Sequence, residues 1–315
     1  MENGNDRYAD KQVLLIGGGG TLGTYVSEEL LKLGCFVDII CPEEKSSQNE
    51  RLRFYREYAT EAFLKELLAH KRYDGIVNFI HYPEVEDYRP FHQLLSEHTD
   101  QLIFLSSYRV YADLQHPITE EAPQLLDVIR DDEDFIKNEK YALSKARCEN
   151  YLRRESKTKN WTIVRPVISF SDRRFDLVTI SGHEVIDAAR EGRPILLPEA
   201  ARDLTAGLDW AGNTGKLIAH LLFKKECLGQ AYTVSSAQNL TWGEVADIYA
   251  RLLNVRIEWV DTDTYIRTGH GGYILTYDRL YDRAVDNSKI LKAAGLKKED
   301  FVSIEDGIRI ELAKV

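Results

Sequence analysis

Short apolar runs alternate with stretches of helical periodicity over the first 170 residues of the chain. The run at 12–16 is almost wholly apolar and stops at glycines, and the next apolar residues fall at Leu22, Val26, Leu30 and Leu33. Apolar residues three or four positions apart indicate a helix, whereas a short unbroken run indicates a strand that is buried on both faces. This opening therefore predicts a strand followed by a helix at 21–33.

The same alternation continues to residue 170 and predicts a parallel sheet. Further strands are predicted at 36–41, 53–55, 75–80, 102–106 and 161–164, and further helices at 60–70, 84–98 and 134–156. Strands that alternate with helices form α/β structures in which helices cover both faces of a parallel sheet. We therefore expect a doubly wound sheet, whose ligands bind at the carboxyl ends of the strands.

The remaining residues, 171–315, have a less regular pattern and predict a smaller α/β lobe. Helices are predicted at 182–191, 209–223, 241–253, 288–294 and 303–312, with short strands at 195–197, 230–234 and 257–260. A chain of 315 residues is long enough for two such lobes, and it can bury a full core without disulfides or metals.

Charge and composition exclude several classes of function. The chain has 41 Lys and Arg residues against 51 Asp and Glu, a net charge of −10, which argues against a basic surface for nucleic acid. Small anionic ligands stay possible, because a site can be locally positive on an acidic protein. The four cysteines are scattered, so we expect reduced thiols and a cytoplasmic protein. We expect neither a membrane helix nor a signal peptide.

A glycine-rich turn at 17–23 joins the first strand to the first helix. It fits G-x-x-G-x-x-G at Gly17, Gly20 and Gly23, and it fits G-x-G-x-x-G from Gly18. Glycines allow a tight turn and a close approach of a pyrophosphate, which the helix N-terminus attracts. The sequence therefore predicts a dinucleotide site.

The choice between NAD and NADP stays open at the second strand. An acidic residue that binds the ribose is expected at its end, but Cys41 stands there. Asp38 lies within the strand, Glu43 comes two residues late, and Lys45 could favour a 2′-phosphate.

Three further residues suggest proton transfer. Tyr141 and Lys145 are four apart on a predicted helix and share one face, and Ser106 and Ser107 follow a predicted strand. A phenol with a pKa of about 10 is a poor base, but a neighbouring ammonium favours the phenolate. Such a pair, with a hydroxyl that donates to the same oxygen, can move a proton while a hydride moves at carbon.

Taken in order, these motifs resemble the extended short-chain dehydrogenase/reductases of the NAD-dependent epimerase/dehydratase family. The matching segments are 17–23, 106–111 (Ser-Ser-x-x-Val-Tyr), Tyr141-x-x-x-Lys145 with Glu149, Arg165-Pro166, 202–211, 286–289 and 303–307. The resemblance covers nearly the whole chain. It implies a Rossmann NAD(P)-binding domain over 11–170 and a mainly substrate-binding lobe over 171–315, from which a segment around 203–225 returns to the first domain.

The resemblance also implies roles for individual residues. Ser107 would be the catalytic hydroxyl, Tyr141 the general acid/base, and Lys145 the residue that binds the nicotinamide ribose and lowers the pKa of Tyr141. The residues implied to bind the cofactor are Gly17, Gly20, Thr21, Leu22, Gly23, Cys41, Glu57, Tyr58, Ile80, His81, Tyr141, Lys145, Val167 and Ile168. Those expected to face the substrate are Ser107, Tyr108, Arg173, Arg174 and Arg202. No metal site is expected.

Two departures from the family pattern narrow the reaction. Sugar-nucleotide 4,6-dehydratases carry an Asp-Glu pair where this chain has Tyr108 and Arg109. A tyrosine and a cation cannot do the work of paired carboxylates, which argues against 4,6-dehydration. Related decarboxylases need a carboxylate at 109, and the fucose-synthase-like enzymes carry a cysteine at 108. A 4-epimerase or a ketoreductase reaction is left.

We therefore expect an NAD-dependent or NADP-dependent epimerase or ketoreductase that acts on a nucleotide-sugar-like substrate. The alternatives are an NADPH-dependent reductase of a non-sugar carbonyl and a non-enzymatic, cofactor-binding regulator on the same fold. The resemblance also implies a homodimer through the predicted helices at 84–98 and 134–156. The second of these helices carries the apolar residues Phe135, Ile136, Leu143 and Tyr151.

Overall fold

The central element of the fold is a seven-stranded parallel sheet. The computed structural model describes residues 7–129 and 132–315. The strands are β1 (Gln12–Ile16), β2 (Phe36–Cys41), β3 (Leu52–Arg56), β4 (Tyr73–Asn78), β5 (Thr99–Leu105), β6 (Trp161–Pro166), β7 (Ile168–Phe170), β8 (Ile195–Pro198), β9 (Leu208–Trp210), β10 (Gln230–Val234) and β11 (Ile257–Val260). The sheet has the order β3-β2-β1-β4-β5-β6-β10, which confirms the predicted doubly wound α/β fold.

Helices cover both faces of this sheet. They are α1 (Thr21–Lys32), α2 (Glu61–His70), α3 (Val85–Glu97), α4 (Leu125–Val128), α5 (Glu133–Asn138), α6 (Lys140–Arg154), α7 (Gly182–Glu191), α8 (Ala211–Ala219), α9 (Trp242–Leu253), α10 (Thr262–Tyr265), α11 (Ser288–Ala294) and α12 (Ile304–Leu312). None of the helices within 7–129 and 132–315 is long and apolar enough to span a membrane.

Strand β1 shows why the apolar runs are unbroken. Val13 and Leu15 pack into a core with α1, α8 and α11, whereas Leu14 and Ile16 pack into a core with α2 and α3. Successive side chains of a strand point to opposite faces of a sheet, so both sets must be apolar when both faces are covered.

A further core lies beyond the sheet and draws most of its residues from the C-terminal half. It gathers residues of α7, α9 and α12 with the parallel pair β8–β11. Ser181, Thr241 and Ser303 begin these three helices, and each side-chain oxygen accepts a backbone N–H of the first turn. Such N-caps satisfy donors that the helix leaves free, which explains why the three helix starts could be predicted.

Several elements differ from the prediction. The short strands β7 and β9 were not predicted, and the helix expected at 209–223 is β9 followed by α8. Strand β10 was expected in the smaller lobe, outside the returning segment at 203–225, but it pairs with β6 at the edge of the central sheet. The helix predicted at 134–156 is two helices, α5 and α6, that meet at Glu139. Glu139 has non-helical dihedral angles (φ −91°, ψ 49°), and its side chain caps α6 by accepting the N–H of Ala142 at 2.9 Å.

The helices expected to form a dimer interface expose little apolar surface. Phe135, Leu143 and Tyr151 are only 5%, 1% and 5% exposed, because they pack inside the chain, and Ile136 alone of the four is exposed, at 39%. The homodimer therefore stays a prediction that rests on the resemblance.

A buried ion pair joins α6 to the sheet. The Arg165 guanidinium on β6 donates from Nε (2.9 Å) and Nη2 to the Glu149 carboxylate, and neither side chain is exposed. Ser106 donates to the same carboxylate at 2.5 Å, and Arg165 Nη1 donates to the Tyr111 hydroxyl at 2.7 Å. These bonds satisfy both charges away from water, which makes the pair costly to break.

We predict that Glu149→Gln strongly destabilises the protein. The substitution leaves the Arg165 charge buried without a counter-ion, which costs about 3–5 kcal/mol of unfolding free energy. Urea unfolding followed by circular dichroism measures the loss. Glu155→Gln is the control, because Glu155 lies just beyond the same helix with its side chain 51% exposed, and its variant should unfold like the wild type. Equal stability of the two variants would contradict the prediction.

Candidate active site

The glycine turn places the start of α1 directly against β1. Gly17 has φ +72°, which favours glycine, and a Cβ on Gly23 would lie 2.2 Å from the Gly18 carbonyl oxygen. Gly20 differs, because no atom lies within 4 Å of the position of its Cβ. The turn is therefore closely packed between Gly18 and Gly23, and it has open space next to Gly20.

The N-terminus of α1 is free to receive an anion. Gly20 is its N-cap and offers no side-chain cap, and the first turn carries no acidic residue. The N–H of Thr24 makes the first bond within the helix, so those of Thr21, Leu22 and Gly23 lack intrahelical partners. Free N–H groups and the positive end of the helix dipole suit a pyrophosphate, so these residues fit a dinucleotide cofactor.

A cavity of about 520 Å³ opens beside this turn, at the carboxyl ends of the strands. Ile16, Asn78, Phe104 and Val164 lie near these ends in the registers of neighbouring strands. This is the point where the sheet order reverses, and such sheets bind their ligands there. Eleven of the predicted site residues line the cavity: Gly17, Gly20, Thr21, Leu22, Gly23, Ser107, Tyr108, Tyr141, Val167, Ile168 and Arg174.

The cavity also has lining residues that the sequence analysis did not assign to the site. Among them are Phe79, Arg109, Ser169, Tyr273, Ile274, Asp278 and Arg279. Arg109 was considered only as a departure from the family pattern, and 269–279 carries no motif that points to chemistry. Their position depends on packing between segments that lie far apart in the chain.

Tyr141 lies in the first turn of α6 and faces the cavity. Burial raises the pKa of its phenol, and the Arg109 charge, the Ser107 hydroxyl and the Arg174 charge lower it. Ser107 accepts the N–H of Arg109 at 3.2 Å, which leaves its own hydroxyl hydrogen free to donate. Ser106 instead donates to Glu149 at 2.5 Å, so Ser107 is the better placed of the two for the site.

Lys145 lies one turn after Tyr141 on the same helix and is only 1% exposed. Its ammonium group donates to the carbonyl oxygens of Leu105 at 2.6 Å and Ile80 at 3.4 Å. Burial lowers the pKa of Lys145 to about 8, so its positive charge is lost as the pH rises through that value. The side chain does not itself line the cavity.

His81, which was expected to bind the cofactor, lies next to this helix and, like Ile80, is not among the residues that line the cavity. Its Nε2 is 2.7 Å from the Ser144 hydroxyl, and its ring centroid is 5.1 Å from that of Tyr141. Because Ser144 donates its hydrogen to the Tyr141 carbonyl oxygen, the oxygen of Ser144 is left to accept from His81. Burial, with the nearby Lys145 charge, lowers the pKa of His81.

The strand ends beyond the glycine turn carry the residues expected around the adenosine. Cys41, Glu57 and Tyr58 do not line the cavity, and Tyr58 is 73% exposed. Glu43 reaches the turn, since one of its carboxylate oxygens lies 2.6 Å from where a Cβ on Gly19 would stand. Asp38 is directed elsewhere and accepts from Lys71 and Tyr73.

Two of the three arginines expected at the substrate lie elsewhere. Arg202 pairs with Glu199 at 3.4 Å and packs on Trp259, so it does not reach the cavity. Arg173 donates to the Gly19 carbonyl oxygen at 3.0 Å, which puts it at the glycine turn. Arg174 alone of the three lines the cavity, and it pairs with Asp176 at 2.7 Å.

A buried carboxylate lies at the far end of the cavity. Asp278 has no exposed side-chain surface and accepts from Tyr108 at 2.9 and 3.0 Å. Arg279, Arg283 and Arg109 surround it and, against the opposing effect of burial, hold the pKa of Asp278 below its usual value. The group is therefore a permanent anion within a cationic wall, and a poor proton donor.

The described residues contain no group of three or more His, Cys, Asp or Glu side chains that could hold a metal ion.

The chain belongs to the NAD-dependent epimerase/dehydratase family, whose model matches residues 13–213, and this confirms the predicted resemblance. A comparison with curated proteins finds no significant sequence match.

Solved structures share the fold at low sequence identity. The epimerase Mth375 from Methanothermobacter thermautotrophicus is 15% identical, with a TM-score of 0.72 over 98% of this chain and 93% of that one. UDP-glucuronic acid 4-epimerase from Bacillus cereus, solved with UDP-glucuronic acid and NAD, is 16% identical, with a TM-score of 0.68 over 96% and 98%. The NDP-hexosamine 5,6-dehydratase TunA is 15% identical, with a TM-score of 0.71 over 96% of each chain.

Two glycine substitutions should separate binding from folding. Gly20→Val puts a side chain into open space on the cavity side, so we predict a wild-type melting temperature and at least about tenfold weaker NAD binding. Gly23→Val collides with the Gly18 backbone and should lower the melting temperature as well. Calorimetry of folding and of NAD binding measures both effects. Wild-type NAD affinity in Gly20→Val would contradict the proposed position of the pyrophosphate.

Proposed function

We propose that the protein is an NAD-dependent epimerase that acts on a nucleotide sugar. The observation that carries this proposal is the shared cavity, where the hydroxyls of Tyr141 and Ser107 face the uncapped N-terminus of α1. Family membership supports the same reaction class, because the family is defined by NAD-dependent epimerases and dehydratases.

The chain's own groups would handle the proton and the oxygen. Tyr141 accepts the proton of a ring hydroxyl as that carbon is oxidised to a ketone, and it returns the proton when the ketone is reduced on its other face. Ser107 donates a hydrogen bond to the same oxygen, which stabilises the charge that develops there. A bound NAD supplies the hydride acceptor, and its reduced form supplies the hydride donor.

The cofactor would lie between the glycine turn and the strand that leads to Val167 and Ile168. The N–H groups of Thr21 and Leu22 would hold the pyrophosphate, and Tyr141, which lines the cavity, would hold the nicotinamide ribose. The resemblance to the family assigns Lys145 to the same ribose, although its ammonium group donates to two backbone carbonyl oxygens. Glu43 supports NAD, because a carboxylate beside Gly19 can accept from a ribose hydroxyl and repels a 2′-phosphate. The Lys45 ammonium acts in the opposite direction at the same turn, where it donates to the Gly19 carbonyl oxygen at 2.6 Å.

The substrate half of the cavity is suited to an anion. Three arginines line it (Arg109, Arg174 and Arg279), against a single lining carboxylate among the described residues, Asp278. Two phosphates of a nucleotide sugar complement this charge. The match of the fold to a UDP-glucuronic acid 4-epimerase bound to its substrate is consistent with this class.

Dehydration is disfavoured by the state of the carboxylate near Tyr108. Asp278 is the carboxylate that lines the cavity, but its side chain is fully buried, and neighbouring arginines lower its pKa. Its partner, Tyr108, is 3% exposed, and burial together with the Asp278 charge raises the pKa of its phenol. Neither group is a suitable acid at neutral pH.

Turnover by the protein loaded with NAD tests the proposal. We predict that a panel of UDP-sugars, UDP-glucose and UDP-glucuronic acid included, contains one substrate whose 4-epimer forms without added reductant. Tyr141→Phe should still bind NAD and lose about 10²–10⁴-fold in rate, because the proton acceptor is gone. Chromatography of the sugars measures both results. One-for-one consumption of added NADPH would identify a reductase, and unchanged turnover in Tyr141→Phe would refute the assigned role.

The cofactor preference has a separate test. We predict that the wild type binds NAD at least about tenfold more tightly than NADP, and that Glu43→Gln narrows this preference by removing the anion beside the ribose. Fluorescence titration with both reduced cofactors measures the ratio. Glu44→Gln is the control, because Glu44 is 81% exposed and pairs with Arg56 away from the turn. A wild-type preference for NADP would contradict the role of Glu43.

A further inference from the structure

Arg109 is held directly against the ring of Tyr141. Its guanidinium carbon lies 5.4 Å from the centroid of the Tyr141 ring and 5.8 Å from that of Tyr273. The side chain is only 12% exposed, so it is confined between the two rings. A guanidinium within about 6 Å of an aromatic face is attracted to it, and more strongly where water is excluded.

Two further contacts tie Arg109 to the catalytic candidates. Its backbone N–H donates to the Ser107 hydroxyl at 3.2 Å, and its Nη2 donates to the Glu139 carboxylate. Glu139 is 1% exposed and caps the helix that carries Tyr141 two residues later. The unexpected break between α5 and α6 is therefore the point at which this helix and Arg109 are fixed together.

Lys145, the cation expected to act on Tyr141, is engaged elsewhere. Its ammonium group donates to two backbone carbonyl oxygens and lies 6.0 Å from the ring centroid of Tyr141. Burial raises the pKa of Tyr141, and Arg109 is the charge that opposes this effect most strongly.

We propose that Arg109 is a positioning residue for the reaction, held by Glu139 so that a fixed positive charge supports the phenolate form of Tyr141. This inference rests on the proposed role of Tyr141 as the proton acceptor. The proposal assigns a role to Arg109, which occupies the position of a carboxylate in related dehydratases.

The other charges around Tyr141 cannot replace Arg109. Arg174 lines the cavity, but it is 51% exposed and pairs with Asp176, so solvent and its partner weaken its effect. The Glu139 charge acts in the opposite direction, and the lowered pKa of His81 leaves that ring neutral at pH 7. Asp278, 4.0 Å from Nε of Arg109, is balanced by Arg279 and Arg283.

A titration of residue 141 alone tests the inference without any substrate. Tyr141 is replaced with 3-fluorotyrosine, and the fluorine NMR shift of the full chain is followed against pH. We expect Arg109→Met to lower the ionisation constant of this phenol by about tenfold or more, because a unit charge at this distance in a partly buried site has an effect of that order. Arg109→Lys, which keeps the charge, should restore most of it.

The control is Arg154→Met, which removes a positive charge from the other end of α6. That residue lies about 20 Å along the helix from Tyr141, beyond the range of screened charges, so no shift is expected. If Arg109→Met proves unstable, Arg109→Gln provides a second neutral side chain that can still bond to Glu139.

An unchanged ionisation constant of residue 141 in folded Arg109→Met or Arg109→Gln would overturn the inference. A decrease in this constant that Arg109→Lys does not reverse would also overturn it. These outcomes are distinct from failure of the proposed function. The titration requires no turnover, whereas the proposed function fails if Tyr141→Phe retains full activity or if NAD does not bind.

Discussion

The pair of Glu149 and Arg165 is the constraint on which the arrangement of the site depends. The two opposite charges are buried away from water. Ser106 donates a hydrogen bond to Glu149, and Arg165 donates one to the Tyr111 hydroxyl. Removing a charge from such a pair is far more costly than removing an exposed one. The pair joins the middle of α6, the residue after β5 and the end of β6 at one place. The segments that carry Tyr141, Ser107 and Val167 are thus linked by an ion pair that does not line the cavity.

The chemistry of the cavity follows from how its charges are distributed. Lys145 and Asp278 are buried and Tyr141 is half-buried, and burial alone would favour the neutral form of each. Arginines counter this effect of burial at Tyr141 and at Asp278. Lys145 instead donates hydrogen bonds to backbone carbonyl oxygens. The protein therefore keeps the carboxylates of Asp278 and Glu139 and several arginines close to a phenol whose protonation can change. The net charge of −10 describes its outer surface and gives no indication of this interior.

Local signals in the sequence identified most of the fold. The caps at Ser181, Thr241 and Ser303 and the unbroken apolar runs depend on neighbouring residues, so the elements that they define could be predicted. The break at Glu139 could not, because it depends on a bond to Arg109, 30 positions earlier. Asp278 was missed for the same reason, since its contact with Tyr108 spans 170 positions. Arg202 shows the opposite error, where a motif position matched but packing on Trp259 directs the side chain away from the cavity.

The position of β10 has a consequence for how the chain is made. This strand closes the edge of the sheet beside β6, and α11, which ends at Ala294, covers the same face as α1. The family match ends at residue 213. Both β10 and α11 lie beyond that residue. A nascent chain of that length would carry an open strand edge and an uncovered apolar face, both of which invite association with other chains. The native form of the central sheet therefore requires residues from both the N-terminal and the C-terminal parts of the chain.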